Sequence, residues 1–442
     1  MKNILVIGAG RSAVTLIKYL LDNSVANNWQ VTVADFSEDL AKDAVASHTN
    51  GKAIFFNVTN EIQREKVIAD SDIVISMLPA SLHITVAKDC VRLKKNLVTA
   101  SYVSEEIAEL DESAKKAGVL LLNEIGLDPG IDHMSAMQVI DDIKEKGGEL
   151  TSFKSYCGGL VHPDYDNNPW HYKFTWNPRN VVLAGQGTAQ YIKQGKYKYI
   201  PYTKLFERTE VMEVLGAGEF EGYANRDSLG YRSAYGLEDI PTLFRGTLRR
   251  RGYCTAWNMF VQLGMTDDTY KVENSENLTN REFINLFFPY NNELSVEEKF
   301  CSYLNLSHDS EEFKKAEWLG IFTDISVGLK DASPAQILQK ICEEKWTLGS
   351  EDKDMIVMQH QFEYLQNGEQ KKLNSSLLVF GETPRFTSMA KTVGLPVAIA
   401  TKLILSGEIQ STGVKIPTIK DIYVPVLEEL AENGINFIEE LV

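Results

Sequence analysis

The chain has 442 residues, enough for two or three domains, and 44% of them are hydrophobic, as expected for a protein with a sizeable buried core. Its 45 basic and 61 acidic residues give a net charge of −16, which argues against nucleic acid or an anionic membrane as a general partner. A locally basic pocket for an acidic substrate remains compatible with that charge. No apolar run has the length and flanks of a signal peptide or a membrane span, so we expect neither.

The first predicted elements form a strand, a glycine turn and a helix. Gly8, Gly10 and Ala13 match the pattern G-x-G-x-x-A directly after a short apolar strand, with Arg11 and Ser12 inside the turn. Gly8 allows a tight turn, Gly10 lets the backbone approach a pyrophosphate, and Ala13 lets helix and strand pack closely. The start of the helix would offer free N–H groups to the phosphates. These residues therefore predict a dinucleotide-binding site.

The second predicted strand covers residues 30–34 and is followed directly by Asp35. An acid at this point accepts hydrogen bonds from the adenosine ribose and repels a 2′-phosphate, so Asp35 favours NAD as the cofactor. NADP stays possible because Arg11 or Lys42 could reach a phosphate. Asp35 could also serve the start of the helix that follows it.

Strand and helix signals alternate to about residue 125, which predicts a parallel sheet with helical crossovers. Ligands bind beyond the carboxyl ends of such strands, so we expect Met77, Leu78, Pro79 and Ser101 to line the cofactor cleft. The predicted strands are 3–7, 30–34, 53–56, 72–77, 96–100 and 118–122, and the predicted helices are 12–22, 38–48, 61–68, 81–93 and 104–116.

Beyond residue 128 the alternation is lost, and we predict an α/β protein in which an N-terminal Rossmann domain is followed by a mixed-sheet α+β domain with a helical insertion. Residues 355–365 and 373–381 alternate like two strands of a hairpin, so the second sheet is expected to resume after the helical block. The predicted parts are 1–128 (Rossmann), 129–257 with 351–385 (mixed sheet), 258–350 (helical insertion) and 386–442 (C-terminal helices that pack back on the N-terminal domain).

Five cysteines, an odd number without a C-x-x-C pair, indicate reduced thiols and a cytoplasmic location. No cluster of His, Cys and Asp has the spacing of metal ligands, so no metal site is expected.

Several segments together resemble the saccharopine dehydrogenase family, the L-glutamate-forming type that is also called saccharopine reductase. The matching segments are GLDPGIDH at 126–133, SYCGGL at 155–160, YKFTW at 172–176, NRDS at 225–228 and RGTLR at 245–249. The resemblance implies an NAD(P)-dependent oxidation of the secondary amine of saccharopine, with hydrolysis of the imine to L-glutamate and 2-aminoadipate 6-semialdehyde. It also implies a homodimer.

The same resemblance places the acid–base candidates at Tyr102, Asp128 and Cys157. Taken by themselves, these residues are more typical of a packing aromatic, an Asp in a Pro-Gly turn and a small buried side chain than of acid–base groups. The substrate-binding set that the resemblance implies is Tyr102, Asp128, Gly158, Trp176, Arg226, Arg245 and Thr247.

Arginines are expected to hold the carboxylates of the substrate because a guanidinium pairs with a carboxylate through two hydrogen bonds. The candidates are Arg226, Arg245 and Arg249; Arg226 is the strongest of them, whereas residues 249–251 (three arginines) could be partly solvated. His133 is interpreted as a core histidine, since nothing in the sequence places its ring in a cleft.

Two other functions stay open. One is a related dehydrogenase of the carboxynorspermidine or carboxyspermidine type, whose substrate also carries amines and would need more acidic residues in its pocket. The other is a nucleotide-binding regulator that has lost turnover. The segments around 160–163 and 169–172 depart from the family pattern, which leaves the identity of the substrate less certain than the type of reaction.

Overall fold

A computed structural model describes all residues, 1–442. The chain divides into two compact units, each built on its own sheet. Unit 1 contains residues 1–150, 365–369 and 377–438, and unit 2 contains residues 151–364, 370–376 and 439–442.

The strands are β1 (Lys2–Ile7), β2 (Trp29–Asp35), β3 (Gly51–Phe55), β4 (Ile73–Ser76), β5 (Asn96–Val98), β6 (Leu120–Leu122), β7 (Glu149–Val161), β8 (Ala189–Lys193), β9 (Lys196–Ile200), β10 (Thr209–Val214), β11 (Gly218–Ala224), β12 (Thr242–Arg249), β13 (Asp354–Gln366), β14 (Glu369–Phe380), β15 (Gly413–Lys415) and β16 (Phe437–Leu441). The helices are α1 (Val14–Asp22), α2 (Glu38–Val45), α3 (Glu61–Ala69), α4 (His83–Leu93), α5 (Glu105–Ala108), α6 (Asp111–Ala117), α7 (Ile131–Glu145), α8 (Pro178–Val182), α9 (Tyr253–Leu263), α10 (Asn280–Asn285), α11 (Val296–Leu304), α12 (Glu311–Leu319), α13 (Pro334–Trp346), α14 (Ser388–Ser406) and α15 (Lys420–Glu432).

The sheet of unit 1 has seven strands in the order β15-β6-β5-β4-β1-β2-β3, and every neighbouring pair is parallel. The strand order reverses between β1 and β4, which opens the crevice in which such sheets bind ligands. The inner strands are apolar and buried because helices cover both faces of the sheet, and four residues of β1 (Ile4, Leu5, Val6, Ile7) are at most 1% exposed. The predicted Rossmann-type α/β fold is confirmed.

The C-terminal helices belong to unit 1, where α14 packs on α1 and α15 packs on α7. The Tyr423 hydroxyl donates to Asp141 Oδ2 at 2.5 Å, and Lys420 pairs with Glu145. These contacts hold α7 in unit 1, so the first unit extends to Leu150 and not only to the predicted boundary at 128.

The sheet of unit 2 is mixed, as predicted. Its strands run in the order β10-β11-β12-β7-β13-β14-β16; β12 is parallel to β7 and antiparallel to β11, and β8 joins β12 at the side and pairs with β9. The predicted hairpin is β13–β14, whose turn holds Asn367 and Gly368 at φ values of 54° and 83°.

An aromatic cluster fills the core between this sheet and the helices of the 258–350 region. Trp346 contacts Trp170, Tyr172 and Phe174 with ring centroids 5.1–5.3 Å apart, and Trp170 also stacks on Phe260 of α9. Most of the aromatic run at 170–176 therefore serves packing.

Helix α14 differs from what we expected from the sequence. Its 19 residues are long and apolar enough to span a membrane by length and composition, although no run of that length was expected. Within the structure, 72% of this stretch is buried against the rest of the chain, as in the core helix of a globular domain.

Candidate functional site

The glycine turn lies at the carboxyl edge of the parallel sheet, between β1 and α1. Gly8 has φ +105°, and a Cβ atom there would come within 2.8 Å of the Met77 carbonyl oxygen, so only glycine fits. Gly10 is exposed, and a Cβ atom there would meet nothing within 4 Å. Residues 11–13 form a 3-10 turn that leads into α1, and no side chain caps either helix start. The turn thus offers open backbone and free N–H groups to an anion.

Asp35, at the end of β2, is fixed beside this turn by two backbone N–H groups. Its Oδ2 accepts from Ala9 at 2.7 Å and its Oδ1 accepts from Ser37 at 2.8 Å. The cap of helix α2 is Ser37, whose hydroxyl accepts from Leu40. Lys42 pairs with Glu38 on its own helix. The carboxylate of Asp35 therefore lies where a ribose bound to the glycine turn would need a hydrogen-bond acceptor.

The loops after β4 and β5 lie at the same edge, since both strands are parallel to β1. Met77 and Leu78 are half-buried and Pro79 is exposed. Ser101 is half-buried, and its hydroxyl lies 2.6 Å from His83 Nε2, while His83 Nδ1 lies 2.8 Å from the Ser76 hydroxyl. Burial lowers the pKa of His83 to about 4, so its ring is neutral at pH 7.

Asp128 lies in a tight loop that follows β6. Gly126 N–H donates to the Pro129 carbonyl at 2.9 Å, and Gly130 has φ +145° with its Cα close against Gly126. In the stretch 119–140, Asp128 is half-buried and Gln138 is exposed, whereas all other residues are buried. Asp128 is therefore more exposed than the residues on either side of it in the loop.

The residues that flank this loop form a network of buried polar side chains. Glu124 Oε2 lies 3.0 Å from His133 Nε2, and its Oε1 accepts from the Val103 N–H, next to Tyr102. His133 is fully buried, in agreement with its interpretation as a core histidine, whereas Tyr102 is 48% exposed. Gly130 N–H donates to Asp132 Oδ1 at 2.6 Å.

In unit 2, three neighbouring strands bring a row of polar side chains to one face of the sheet. Thr247 of β12 is paired with Cys157 of β7 on one side and with Tyr223 of β11 on the other. Arg245 lies two residues before Thr247 and so shares its face. Cys157 is 8% exposed and Thr247 is half-buried.

Gly158 follows Cys157 in β7 and therefore points to the opposite face of the sheet. A Cβ atom there would lie 2.7 Å from the Leu248 carbonyl oxygen, so glycine lets β7 and β12 approach each other. This contact gives Gly158 a packing role.

The arginines differ sharply in their surroundings. Arg226 is exposed and forms no ion pair, while Arg245 is 4% exposed with its guanidinium 4.3 Å from the centre of the Tyr231 ring. The backbone around Arg245 is fixed by Ser228, whose Oγ accepts the Arg245 N–H at 2.9 Å. Arg226 is therefore the most accessible guanidinium of the predicted set.

Arg249 corrects the expectation that this residue is partly solvated. It is 3% exposed, and its guanidinium lies 5.0–5.8 Å from the rings of Tyr172, Tyr223 and Tyr253. Cation–π contacts of this kind stabilise a desolvated arginine. Trp176, at the end of the aromatic run, is only half-buried and remains accessible from one side.

The sequence analysis missed His83 and the tyrosines around the arginines. The only signal for His83 was a polar residue at a helix start that follows a strand ending in serine. Of the tyrosines, Tyr172 lies in the YKFTW segment, whereas Tyr223, Tyr231 and Tyr253 lie in segments with no motif of their own.

Comparisons with known proteins cover almost the whole chain. Residues 4–122 match the model of the saccharopine dehydrogenase NADP binding domain, and residues 126–435 match that of the saccharopine dehydrogenase C-terminal domain. Alpha-aminoadipic semialdehyde synthase of Mus musculus is 35% identical over 99% of this chain, which spans 47% of that protein, or about half its length.

A second relative matches this chain over almost its whole length. The saccharopine dehydrogenase [NADP(+), L-glutamate-forming] of Saccharomyces cerevisiae is 35% identical over 99% of both chains. A solved structure of the apo yeast saccharopine dehydrogenase (L-Glu forming) superposes with a TM-score of 0.90 at 34% identity and covers 100% of both chains.

Proposed function

The chain belongs to the saccharopine dehydrogenase family, and we propose that it oxidises the secondary amine of saccharopine with a nicotinamide dinucleotide. Hydride would leave the methylene carbon bonded to the amine on the aminoadipate side, and water would hydrolyse the resulting imine to L-glutamate and 2-aminoadipate 6-semialdehyde. The observation that carries the proposal is the 35% identity to the yeast L-glutamate-forming enzyme over 99% of both chains.

The residues at the edge of the unit 1 sheet fit such a coenzyme. The open backbone at Gly10 and the uncapped start of α1 suit a pyrophosphate, and Asp35 suits a ribose. The remaining cofactor-binding candidates are Gly8, Arg11, Ser12, Ala13, Met77, Leu78, Pro79 and Ser101. When bound, the coenzyme supplies the hydride acceptor, and the chain supplies orientation and proton transfer.

We propose NAD as the preferred coenzyme, although the yeast relative is named for NADP(+). The charge of Asp35 is held beside the glycine turn by two N–H groups, where it would repel a 2′-phosphate. Lys42 is engaged by Glu38, so Arg11 is the remaining nearby cation for such a phosphate.

Proton transfer is assigned to Asp128, with Tyr102 and Cys157 as the other candidates. Asp128 is favoured because it is half-buried in a loop whose other residues are buried, whereas Cys157 is 8% exposed. A carboxylate can take a proton from the amine and orient the attacking water.

Substrate binding is assigned to the polar face of the unit 2 sheet. Saccharopine carries three carboxylates, and the chain offers Arg226 and Arg245 as guanidinium partners, with Thr247 as a hydroxyl donor. Trp176 would provide an apolar wall, while Gly158 would act through close packing of the strands.

Two further properties are proposed from the family and the chain. We propose a homodimer, which light scattering of the purified protein would measure directly. A cytoplasmic location fits the five buried cysteines, none of which forms a disulfide.

The test of the main proposal is absorbance at 340 nm with saccharopine and either NAD⁺ or NADP⁺, together with a direct assay of L-glutamate. We expect both signals to rise in equal amounts, faster with NAD⁺, and to be lost in D128N. Carboxyspermidine in place of saccharopine tests the related polyamine reaction. Tight NADH binding without turnover of any amine would contradict the proposal and indicate a regulator.

A further inference from the structure

Three side chains of unit 1 form a hydrogen-bonded chain that includes one cofactor-binding candidate, Ser101, and two residues with no role assigned above. Ser76 is the last residue of β4, His83 is the first residue of α4, and Ser101 follows β5. The Ser76 hydroxyl lies 2.8 Å from His83 Nδ1, and the Ser101 hydroxyl lies 2.6 Å from His83 Nε2. The imidazole ring thus bridges two serines at the carboxyl edge of the sheet.

The His83 ring is neutral. It is 1% exposed, and both of its nitrogens contact hydroxyl groups, with no carboxylate hydrogen-bonded to either. A neutral imidazole has one N–H donor and one acceptor nitrogen, so one serine donates to the ring and the other accepts from it.

The burial of Ser76 decides which of the two serines donates to the His83 ring. Ser76 is fully buried, and its hydroxyl has His83 as its one hydrogen-bond partner. A buried O–H that lacks an acceptor is costly, so Ser76 donates its proton to Nδ1. The ring proton is then on Nε2, and that N–H donates to the Ser101 oxygen. The opposite direction would leave the proton of the buried Ser76 hydroxyl without an acceptor among the side chains and backbone around it.

With the hydrogen bonds in this direction, the hydroxyl proton of Ser101 points away from the His83 ring. Ser101 is half-buried at the carboxyl end of β5, and its hydroxyl has no second partner in the chain. Because β4 and β5 lie on the side of β1 opposite to β2, a dinucleotide with its ribose at Asp35 extends its nicotinamide half toward them.

We infer that Ser101 donates a hydrogen bond to the carboxamide oxygen of the nicotinamide, and that His83 and Ser76 are positioning residues that orient this donor. The inference rests on the proposed function, because it requires a nicotinamide coenzyme at this edge. An oriented donor would hold the carboxamide in one of its two planar orientations, since the flipped amide would present an NH₂ group to another donor.

The first experiment uses two coenzymes. 3-Acetylpyridine adenine dinucleotide keeps the carbonyl oxygen of the nicotinamide substituent but lacks its NH₂ group. We expect S101A to weaken binding of the reduced forms of NAD and of this analogue by the same factor, about 3- to 10-fold. S113A, which removes an exposed hydroxyl on α6, is the control and should change neither. Weaker binding of NADH alone would mean that Ser101 accepts from the amide, which overturns the inference.

The second experiment needs no ligand. Nitrogen-15 NMR of the histidine rings at pH 7, with the His83 signals assigned by their loss in H83N, should show a neutral ring protonated on Nε2. S76A should shift that ring toward the other tautomer and weaken binding of both coenzymes about 2- to 5-fold. A ring protonated on Nδ1, or charged, would overturn the inference.

The outcomes separate the two proposals. If S101A weakens coenzyme binding but wild-type protein does not turn over saccharopine, only the proposed reaction fails. If wild-type protein oxidises saccharopine and S101A binds both coenzymes normally, only the role of Ser101 fails. If wild-type protein binds neither coenzyme, both proposals fail.

Discussion

The charge of Asp35 should decide which coenzyme the protein prefers. The D35N variant keeps the shape of the side chain and one acceptor oxygen for the two N–H groups of Ala9 and Ser37, but it removes the negative charge. We therefore expect the preference for NAD⁺ over NADP⁺ to fall.

The size of this effect follows from the position of the carboxylate. If the ribose hydroxyls hydrogen-bond to Asp35, a 2′-phosphate would lie roughly 5 Å away, where each unit of charge costs about 1 to 3 kcal/mol at effective dielectric constants between about 80 and 20. The ratio of kcat/KM for NAD⁺ to that for NADP⁺ should thus decrease about 5- to 150-fold in D35N for each unit of charge on the 2′-phosphate.

The assay is initial velocity at 340 nm with saturating saccharopine and varied coenzyme. D39N is the matched control, since Asp39 is exposed on helix α2, which follows Asp35 in the chain, and has no contact with the glycine turn. An unchanged ratio in a folded D35N protein would refute a contact between Asp35 and the ribose. An equal change in D39N would refute the local origin of the effect, and a wild-type preference for NADP⁺ would refute the proposed specificity.

Three further predictions concern the turn, the substrate and pH. G8A should lose about 1–3 kcal/mol of unfolding free energy and bind NADH more weakly, because its Cβ would meet the Met77 carbonyl at φ +105°; urea unfolding and fluorescence titration check this, and wild-type values would contradict it. R226M should raise the KM for saccharopine about 10-fold with an unchanged melting temperature, because Arg226 is exposed and forms no ion pair; an unchanged KM would exclude it as a carboxylate partner. Since burial lowers the pKa of His83 from 6.5 to about 4, the unfolded chain binds more protons between these values. The unfolding free energy should therefore fall by about 3 kcal/mol more in wild type than in H83N as the pH decreases from 6.5 to 4, and equal slopes in urea titrations would contradict this.

Local patterns explain why the first unit was predictable. The glycine turn, the acid at the end of β2 and the alternation of strands and helices each depend on residues close together in the chain, and the structure contains all of them. The hairpin turn at Asn367 and Gly368 is predictable for the same reason, since both residues favour positive φ.

The side-chain networks were not predictable because their members are distant in the sequence. His83 is bound by serines seven residues before it and eighteen residues after it. Arg249 looked solvated beside two other arginines, yet tyrosines from three separate segments enclose it. The boundary after Leu150 was missed because the partner of α7 is α15, almost three hundred residues later.

The return of the chain to unit 1 has a consequence for its synthesis. Helix α14 lies so close to α1 that a Cβ atom on Gly394 would be 2.9 Å from the Leu16 nitrogen, and β15 completes the sheet beside β6. While a ribosome is still translating residues 151–387, the emerged N-terminal segment lacks these partners and leaves an apolar helix face and a strand edge uncovered. The N-terminal segment is therefore synthesised before residues 151–387 but is among the last parts of this chain to finish folding, and it is exposed to aggregation or to chaperones in the meantime.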